Sequence, residues 1–156
     1  MKHLLLTTIA AVVLVGCGVS EKKDIWNAAA SGDTNTIELL VALGQNVNAK
    51  TKFMETPLHF AAENGQEEVV EQLIDKGANV NANAKWERTP LHGTAKTGQM
   101  GIIELLITAG ANVNAKDFEN KTPLDEAINY KHTEVADLLR KQGGKRGEEL
   151  KAEGAK

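Results

Sequence analysis

The 156-residue sequence predicts an all-α protein, a solenoid of four helix-turn-helix repeats joined by β-turn fingers. The tetrapeptide TPLH at 56–59 returns at 89–92, and TPLD stands at 122–125, so each copy starts 33 residues after the previous one. Aromatic residues make up only 4% of the chain, so Ala, Leu, Ile and Val must build the core, which favours small, closely packed helices. A fixed period of this length is typical of stacked units that bury their apolar faces against one another.

Composition and charge limit what this chain can do. Hydrophobic residues make up 42% and charged residues 25% of the sequence, as in a soluble folded protein. The net charge of −3 provides no general attraction to nucleic acid. The glycines form neither a G-x-G-x-x-G nor a Walker pattern, so we expect no phosphate binding and no cofactor. Cys17 is the only cysteine, which excludes an internal disulfide, and we expect a monomer.

Residues 1–16 are predicted to be a secretory signal peptide. Lys2 and His3 give a short basic start, and an apolar run of 12 residues follows from Leu4 to Val15. This run is shorter than the roughly 20 residues that a membrane-spanning helix needs. A basic start, an apolar run and small residues in this order are typical of a signal peptide. The alternative is a buried N-terminal helix.

The end of the apolar run, Leu14-Val15-Gly16-Cys17, resembles the lipobox of bacterial lipoproteins. The resemblance implies that Cys17 carries a diacylglyceryl group and becomes the first residue of the mature chain, which is then held at a membrane. Gly18 in place of Asp resembles the sorting signal for an outer rather than an inner membrane, with the protein facing the periplasm. Residues 17–23 would be the lipidated cysteine and a tether of roughly 20 Å at full extension. Removal of residues 1–16 changes the net charge from −3 to −4.

The repeated tetrapeptide belongs to a longer unit. With the threonines of the three copies aligned, GANVNA at 77–82 matches the same letters at 110–115, and GQNVNA stands at 44–49. A repeat domain is therefore predicted over residues 24–144, followed by a tail with a short helix at Glu148–Glu153. The four repeats are expected at about 24–55, 56–88, 89–121 and 122–144, and the tail at 145–156.

Each repeat has the start and stop signals of two helices. Thr56 suits the N-cap of a first helix, Pro57 suits its first position, and Gly65 ends it. The second helix, which Gly77 ends, is predicted from apolar residues at helical spacing. In repeats two and three these apolar residues are Val69, Val70, Leu73, Ile74, Ile102, Ile103, Leu106 and Ile107. The asparagines in register after each second helix suit turns, because their amides bond nearby backbone.

A period of 33 residues with the pattern T-P-L-H-x-A, which TPLHFA at 56–61 fits without a gap, resembles the ankyrin repeat. The resemblance covers about residues 24–144. It implies an ankyrin-repeat solenoid that binds another protein through its finger tips and through the concave face of its first helices. It also implies a chain that is not an enzyme.

The chain departs from the ankyrin pattern in its fingers and in the first helix of repeat three. The family often has Gly two residues before the Thr, where this chain has Met54, Glu87 and Asn120. Asn tolerates the left-handed backbone conformation, whereas Met and Glu do so poorly, so the first two fingers are expected to differ in shape. Gly93-Thr94 replaces Phe60-Ala61, which is expected to weaken the first helix of repeat three.

The outermost repeats carry polar residues at positions that inner repeats fill otherwise. Repeat four has Asp125 and Glu126 where inner repeats have His and an apolar or small residue, and Lys131 where they have Gly. Its second helix ends in Arg140, Lys141 and Gln142. We interpret these residues as the polar outer face that a terminal repeat needs.

The histidines of the two TPLH copies are predicted to be structural. Neighbouring helices lie roughly 8–10 Å apart, so His59, His92 and Asp125 should form a line. Zinc needs about four ligands around one point, and no Ser or Cys nucleophile stands in register beside either His. The ankyrin resemblance implies hydrogen bonds within the TPLH turn, and His132 is assigned a structural role too. The alternative is a small enzyme or metal carrier that uses these histidines.

Binding residues are expected at the variable positions of the fingers and of the concave face. Each finger carries one aromatic residue flanked by charge, a combination that resembles binding hot spots. The finger candidates are Phe53, Lys85, Trp86, Glu87 and Phe118. The alternative is that each ring folds back on its own finger. On the concave face the candidates are Glu63, Lys96 and Tyr130, which could equally be solvated surface.

We therefore expect a membrane-anchored, non-enzymatic interaction module in a bacterial cell envelope, which holds or inhibits another protein. One alternative is an immunity or antitoxin-like inhibitor of a secreted enzyme. A lower alternative is the enzyme or metal carrier that uses the TPLH histidines. A structural spacer in the envelope is a further option, and it predicts that finger substitutions change nothing.

Overall fold

The computed structural model describes residues 24–154, and this part of the chain is all-α, with no strand. Four helix pairs follow one another, as the repeat pattern predicts, and one more helix follows the last pair. The helices are α1 (Ile25–Ser31), α2 (Thr34–Ala42), α3 (Pro57–Glu63), α4 (Glu67–Asp75), α5 (Pro90–Thr97), α6 (Met100–Thr108), α7 (Pro123–Asn129), α8 (Thr133–Lys141) and α9 (Gly147–Gly154). None of these helices is both long and apolar enough to cross a bilayer.

The helices stack in two layers. The first helices of the repeats, α1, α3, α5 and α7, pack in sequence against one another, and α2, α4 and α6 form the second layer. Each first helix also packs against the second helix of its own repeat. The core lies between the layers and is aliphatic, as expected. Its fully buried side chains include Ile25, Ile37, Leu58, Val69, Leu73, Leu91, Ile103, Leu106 and Leu139.

Each TPL motif starts a helix in the same way. The Thr is the N-cap, the Pro occupies the first turn, and the residue after Leu reaches back to the backbone N–H of the Thr. This reciprocal arrangement satisfies donors that a helix N-terminus otherwise leaves free. The capping pairs are Thr56 with His59, Thr89 with His92, and Thr122 with Asp125.

A ladder of asparagines joins successive repeats. The Asn48 side chain donates to the carbonyl of Gly77 at 3.1 Å and accepts from the N–H of Asn79 at 2.7 Å. Asn81 makes the same pair of bonds one repeat further on. Asn114 makes them to Gly143 and Lys145. The ladder therefore continues past residue 144 and holds the start of the tail in repeat register.

The turn between paired helices explains one of the departures from the pattern. Gly98 adopts a left-handed φ of 79°, and a Cβ there would come within 2.7 Å of the His132 ring in the next repeat. Lys131 adopts a φ of 63° at the matching position of the fourth repeat. Among the described residues, 24–154, no further helix pair stacks on that repeat, so its turn can carry a side chain.

The expectation about finger shape was correct for one finger and wrong for the other. Met54, with a φ of 63°, adopts the same left-handed conformation as Asn120, with 65°. The second finger does differ, because Trp86 and Glu87 both have positive φ, 67° and 58°. Gly93-Thr94 did not shorten the first helix of repeat three, since α5 extends over eight residues.

The polar outer face expected for repeat four is only partly correct. Arg140, Lys141 and Gln142 are exposed, as predicted. Asp125 and Glu126 are instead each only 7% exposed. Asp125 is enclosed because residues 145–147 of the tail cross over it.

Candidate partner-binding surface

The tips of the three fingers (51–55, 84–88 and 117–121) form a continuous edge. The N–H of Lys85 donates to the carbonyl of Phe53 at 2.8 Å, and the N–H of Phe118 donates to the carbonyl of Trp86 at 3.0 Å. These bonds join each finger to the next. The Phe53, Trp86 and Phe118 side chains are 45%, 53% and 55% exposed, so a large apolar area faces solvent along this edge.

Trp86 is the centre of the finger edge. Its ring lies against Phe118 in the next finger, with centroids 4.8 Å apart and planes at 41°. The sequence spacing placed Phe118 one residue out of register with Trp86, and the contact arises because Trp86 leans towards the third finger. A left-handed backbone at a bulky residue costs on the order of 1–3 kcal/mol and is more frequent at functional sites.

Two lysines lie over the rings of the finger edge. The Lys52 ammonium is 5.0 Å from the Phe53 ring, and the Lys85 ammonium lies 5.7 Å from Phe53 and 4.8 Å from Trp86. Such contacts contribute about 0.5–1 kcal/mol each at exposed sites. Neither lysine forms an ion pair within residues 24–154. The edge is therefore both aromatic and basic.

Two depressions separate the fingers from the first helices. The first has a volume of about 520 Å³ and includes Trp86, Arg88, Asp117, Phe118, Glu119, Lys121, Glu126, Asn129 and Tyr130 in its lining. The second has about 260 Å³ and is lined by Phe53, Glu55, His59, Glu63, Ala84, Lys85, Trp86 and Arg88. Trp86 and Arg88 line both, so they form the wall between them.

The structure brings most of the predicted binding residues to these two depressions. Four of them line the second, namely Phe53, Glu63, Lys85 and Trp86. Trp86, Phe118 and Tyr130 line the first. The other two predicted residues lie outside both linings. Lys96 places its ammonium 5.3 Å from the Tyr130 ring, and Glu87 is exposed in the second finger.

Glu63 is exposed at the end of α3, and its side chain lies over Gly93 of the next repeat. A Cβ at Gly93 would come within 2.6 Å of Glu63 Cγ. The Gly that was expected to weaken α5 thus makes room for an acidic side chain that lines the second depression.

Two charged residues that line the depressions were not predicted from the sequence as binding residues. Arg88 precedes the TPLH threonine, and its Nη2 is buried without a hydrogen-bond partner in residues 24–154. Glu126 lines the first depression although it is only 7% exposed. The repeat pattern did indicate a variable position at Arg88, because Glu55 and Lys121 stand at the matching positions of the other fingers.

Both ring nitrogens of each TPLH histidine are hydrogen-bonded within the repeat scaffold. The N–H of Thr56 donates to Nδ1 of His59 at 3.2 Å, so Nε2 carries the proton and donates to the carbonyl of Arg88, also at 3.2 Å. Burial lowers the pKa of His59 to about 4. His92 makes the same bonds to Thr89 and Lys121, and burial lowers its pKa too.

Metal-binding side chains are not gathered in the described part of the chain. Within residues 24–154 no group of three or more His, Cys, Asp or Glu side chains is placed to hold an ion. His132 contacts the carbonyl of Lys96 at 3.0 Å and so links α8 to the preceding repeat. The predicted signal peptide, Cys17 and the tether lie outside the described residues.

Comparison with known families gives one result. A family model described as ankyrin repeats in three copies matches residues 25–117 and, in a second alignment, residues 79–149. Together the two matches extend over all the helix pairs. A comparison with curated proteins found no match.

Proposed function

The chain belongs to the ankyrin-repeat family, and from this premise we propose that it is a membrane-anchored module of a bacterial cell envelope that holds or inhibits one protein partner. Ankyrin repeats are protein–protein interaction modules and are typically non-catalytic. The observation that carries the proposal is Trp86, a strained and half-exposed ring stacked on Phe118 at the centre of the finger edge. Exposed aromatic clusters of this kind are typical of binding hot spots.

A photo-crosslinker in place of Trp86, used in intact cells, tests whether the finger edge binds a protein. We expect one dominant cross-linked protein, identified by mass spectrometry. Leu43 provides the control position, because it is equally exposed (55%) but follows α2 and lies outside the fingers. The same crosslinker at Leu43 should not capture that protein. Failure to capture any specific protein from position 86, in a folded protein, would favour a spacer role instead.

The membrane anchor is a separate part of the proposal and rests on the lipobox. Two or more acyl chains hold a protein firmly at a membrane, whereas one binds reversibly. We expect the full-length protein to partition into the detergent phase of Triton X-114, and the Cys17→Ser variant to stay in the aqueous phase. Metabolic labelling with a palmitate analogue should mark only the wild type. Equal partitioning of the two proteins would contradict lipidation at Cys17.

A further inference from the structure

Glu126 provides an acidic side chain in the lining of the first depression. It lies on α7, is 7% exposed, and lines the first depression. Its side chain forms no hydrogen bond and no ion pair within residues 24–154. Neither carboxylate oxygen is among the buried polar atoms that lack a partner in residues 24–154, so solvent in the depression reaches both oxygens. The carboxylate is therefore available to a cationic ligand that enters the depression.

The other acidic side chains of the depression are already occupied. Asp117 accepts the backbone N–H groups of Glu119 and Lys121 at 2.9 and 2.8 Å and so stabilises its own finger. Glu119 forms an ion pair with Lys121. Arg88 forms no ion pair with Glu126 and belongs to the wall shared with the second depression. The lining has three carboxylates against two cations. Glu126 is the acid of this lining that forms no close contact with a cation, since Lys121 pairs with Glu119 and attracts Glu126 only from beyond ion-pair distance.

Aromatic rings surround the same depression. The Trp86–Phe118 pair forms one side, and Tyr130, which is 50% exposed, follows the helix that carries Glu126. Aromatic faces attract cations. The chain's own lysines show this here, because Lys85 lies over Trp86 and Lys96 over Tyr130. Neither lysine lines the first depression, so both leave its interior open to an incoming cation.

We propose that the first depression receives a basic side chain, arginine or lysine, of the protein partner. The cation would pair with Glu126, and its aliphatic stem would lie between the Trp86–Phe118 pair and Tyr130. The inference rests on the proposed function, since the side chain belongs to a bound protein. A basic contact surface on that partner also complements the net charge of −4 that remains after removal of residues 1–16.

The probe for this site is N-acetyl-arginine methylamide, and its neutral isostere N-acetyl-citrulline methylamide is the matched control. The indole N–H signal of Trp86 in a ¹H–¹⁵N spectrum reports on the depression. Trp26 provides an internal reference, because its indole N–H is held by the carbonyl of Ala49 at 3.0 Å. We expect the arginine probe to shift only the Trp86 signal, saturably, and to bind about tenfold more tightly than the citrulline probe.

Substitution of Glu126 provides the decisive comparison. Glu126→Gln should weaken binding of the arginine probe about tenfold, whereas Glu104→Gln should leave it unchanged, because Glu104 is exposed on α6 and lines neither depression. Tyr130→Ala, on an exposed position, should also weaken binding. Equal binding of both probes, or an unchanged affinity in Glu126→Gln, would overturn the proposal. Tighter binding of N-acetyl-glutamate methylamide would instead assign the depression to an acidic side chain through Arg88.

The two proposals fail in different ways. If the crosslinker at position 86 captures a protein as efficiently in a Glu126→Gln background, the binding module stands and the basic side chain is wrong. If the arginine probe binds but no protein is captured in cells, the depression has the proposed chemistry and the finger edge is not the interface.

Discussion

Acidification from about pH 7 to about pH 5 is expected to lower the free energy of unfolding by about 2 kcal/mol through His59 alone. The pKa of His59 is about 4 in the folded chain against 6.5 when exposed. Between these values the unfolded chain binds a proton that the folded chain does not. The stabilisation is therefore complete above pH 6.5 and is lost as the pH falls towards 4. The lowered pKa of His92 adds a loss in the same direction.

The geometry of the capping box explains why the proton is excluded. Burial disfavours the imidazolium, and Nδ1 already accepts the N–H of Thr56. A second proton would have to sit on Nδ1, facing that donor, and would break the cap of α3. Urea unfolding followed by far-UV circular dichroism over this pH range measures the effect, with the midpoint shifting to lower urea as the pH falls.

A variant with His59→Asn and His92→Asn is the control. The Asn oxygen can still accept the N–H of the Thr, but the amide cannot reach the carbonyls of Arg88 and Lys121. We expect lower stability at neutral pH and little further loss down to about pH 5. Asp125 does not obscure this comparison, because its pKa lies below 3.8. A wild-type midpoint that does not change with pH, or a double variant that keeps the full loss, would contradict the assignment.

The repeat scaffold was predictable from the sequence because its interactions recur with the period. The Thr-Pro start of each first helix and the asparagine ladder depend on residues at fixed offsets, such as Asn81 with Gly110 and Asn112. The resulting bonds are local or join adjacent repeats. One period of spacing therefore determines both the capping and the stacking of helices.

The two depressions were only partly predictable from the sequence, because their walls depend on contacts that do not recur from one repeat to the next. Phe118 stands in register with Lys85, yet its ring contacts Trp86, since two successive left-handed residues turn the second finger. Glu126 resembled a solvent-facing residue of a terminal repeat, but it is buried in a depression walled by two fingers. Side-chain burial of this kind depends on three repeats at once.

The fourth motif has Asp125 where the second and third have His, because the groups that face this position in the fourth repeat are hydrogen-bond donors. In inner repeats the His donates to a carbonyl of the next finger, as His59 does to Arg88. The fourth repeat faces the tail instead, which offers donors. Asp125 accepts the N–H of Gly147 at 2.7 Å and Nε of Arg146 at 2.9 Å. Asp125, an acceptor where the inner repeats have a donor, thus binds the tail after the last repeat and holds the start of α9 in place.

The carboxylate of Asp125 is held in its charged form. Burial alone would raise its pKa, but the bonds from Gly147, Thr122 and Arg146 outweigh burial and lower it. Asp125→Asn is expected to reduce the free energy of unfolding by about 2–3 kcal/mol, since the new amide must face a donor. Urea unfolding at neutral pH measures this loss. Glu148→Gln is the matched control, because its ion pair with Arg146 is 67% exposed on the Glu side and should contribute under about 1 kcal/mol.

A double-mutant cycle with Gly147→Ala tests whether Asp125 acts through the tail. A Cβ at Gly147 would collide with the carbonyl of Asn120, so this substitution moves the tail away from Asp125. We expect Asp125→Asn to cost at least about 1 kcal/mol less in the Gly147→Ala background than in the wild type. An equal cost in both backgrounds would mean that Asp125 stabilises only the cap at Thr122. A smaller loss of unfolding free energy in the Gly147→Ala background would establish that Asp125 stabilises the last repeat by binding the tail, where the inner histidines bind the next finger.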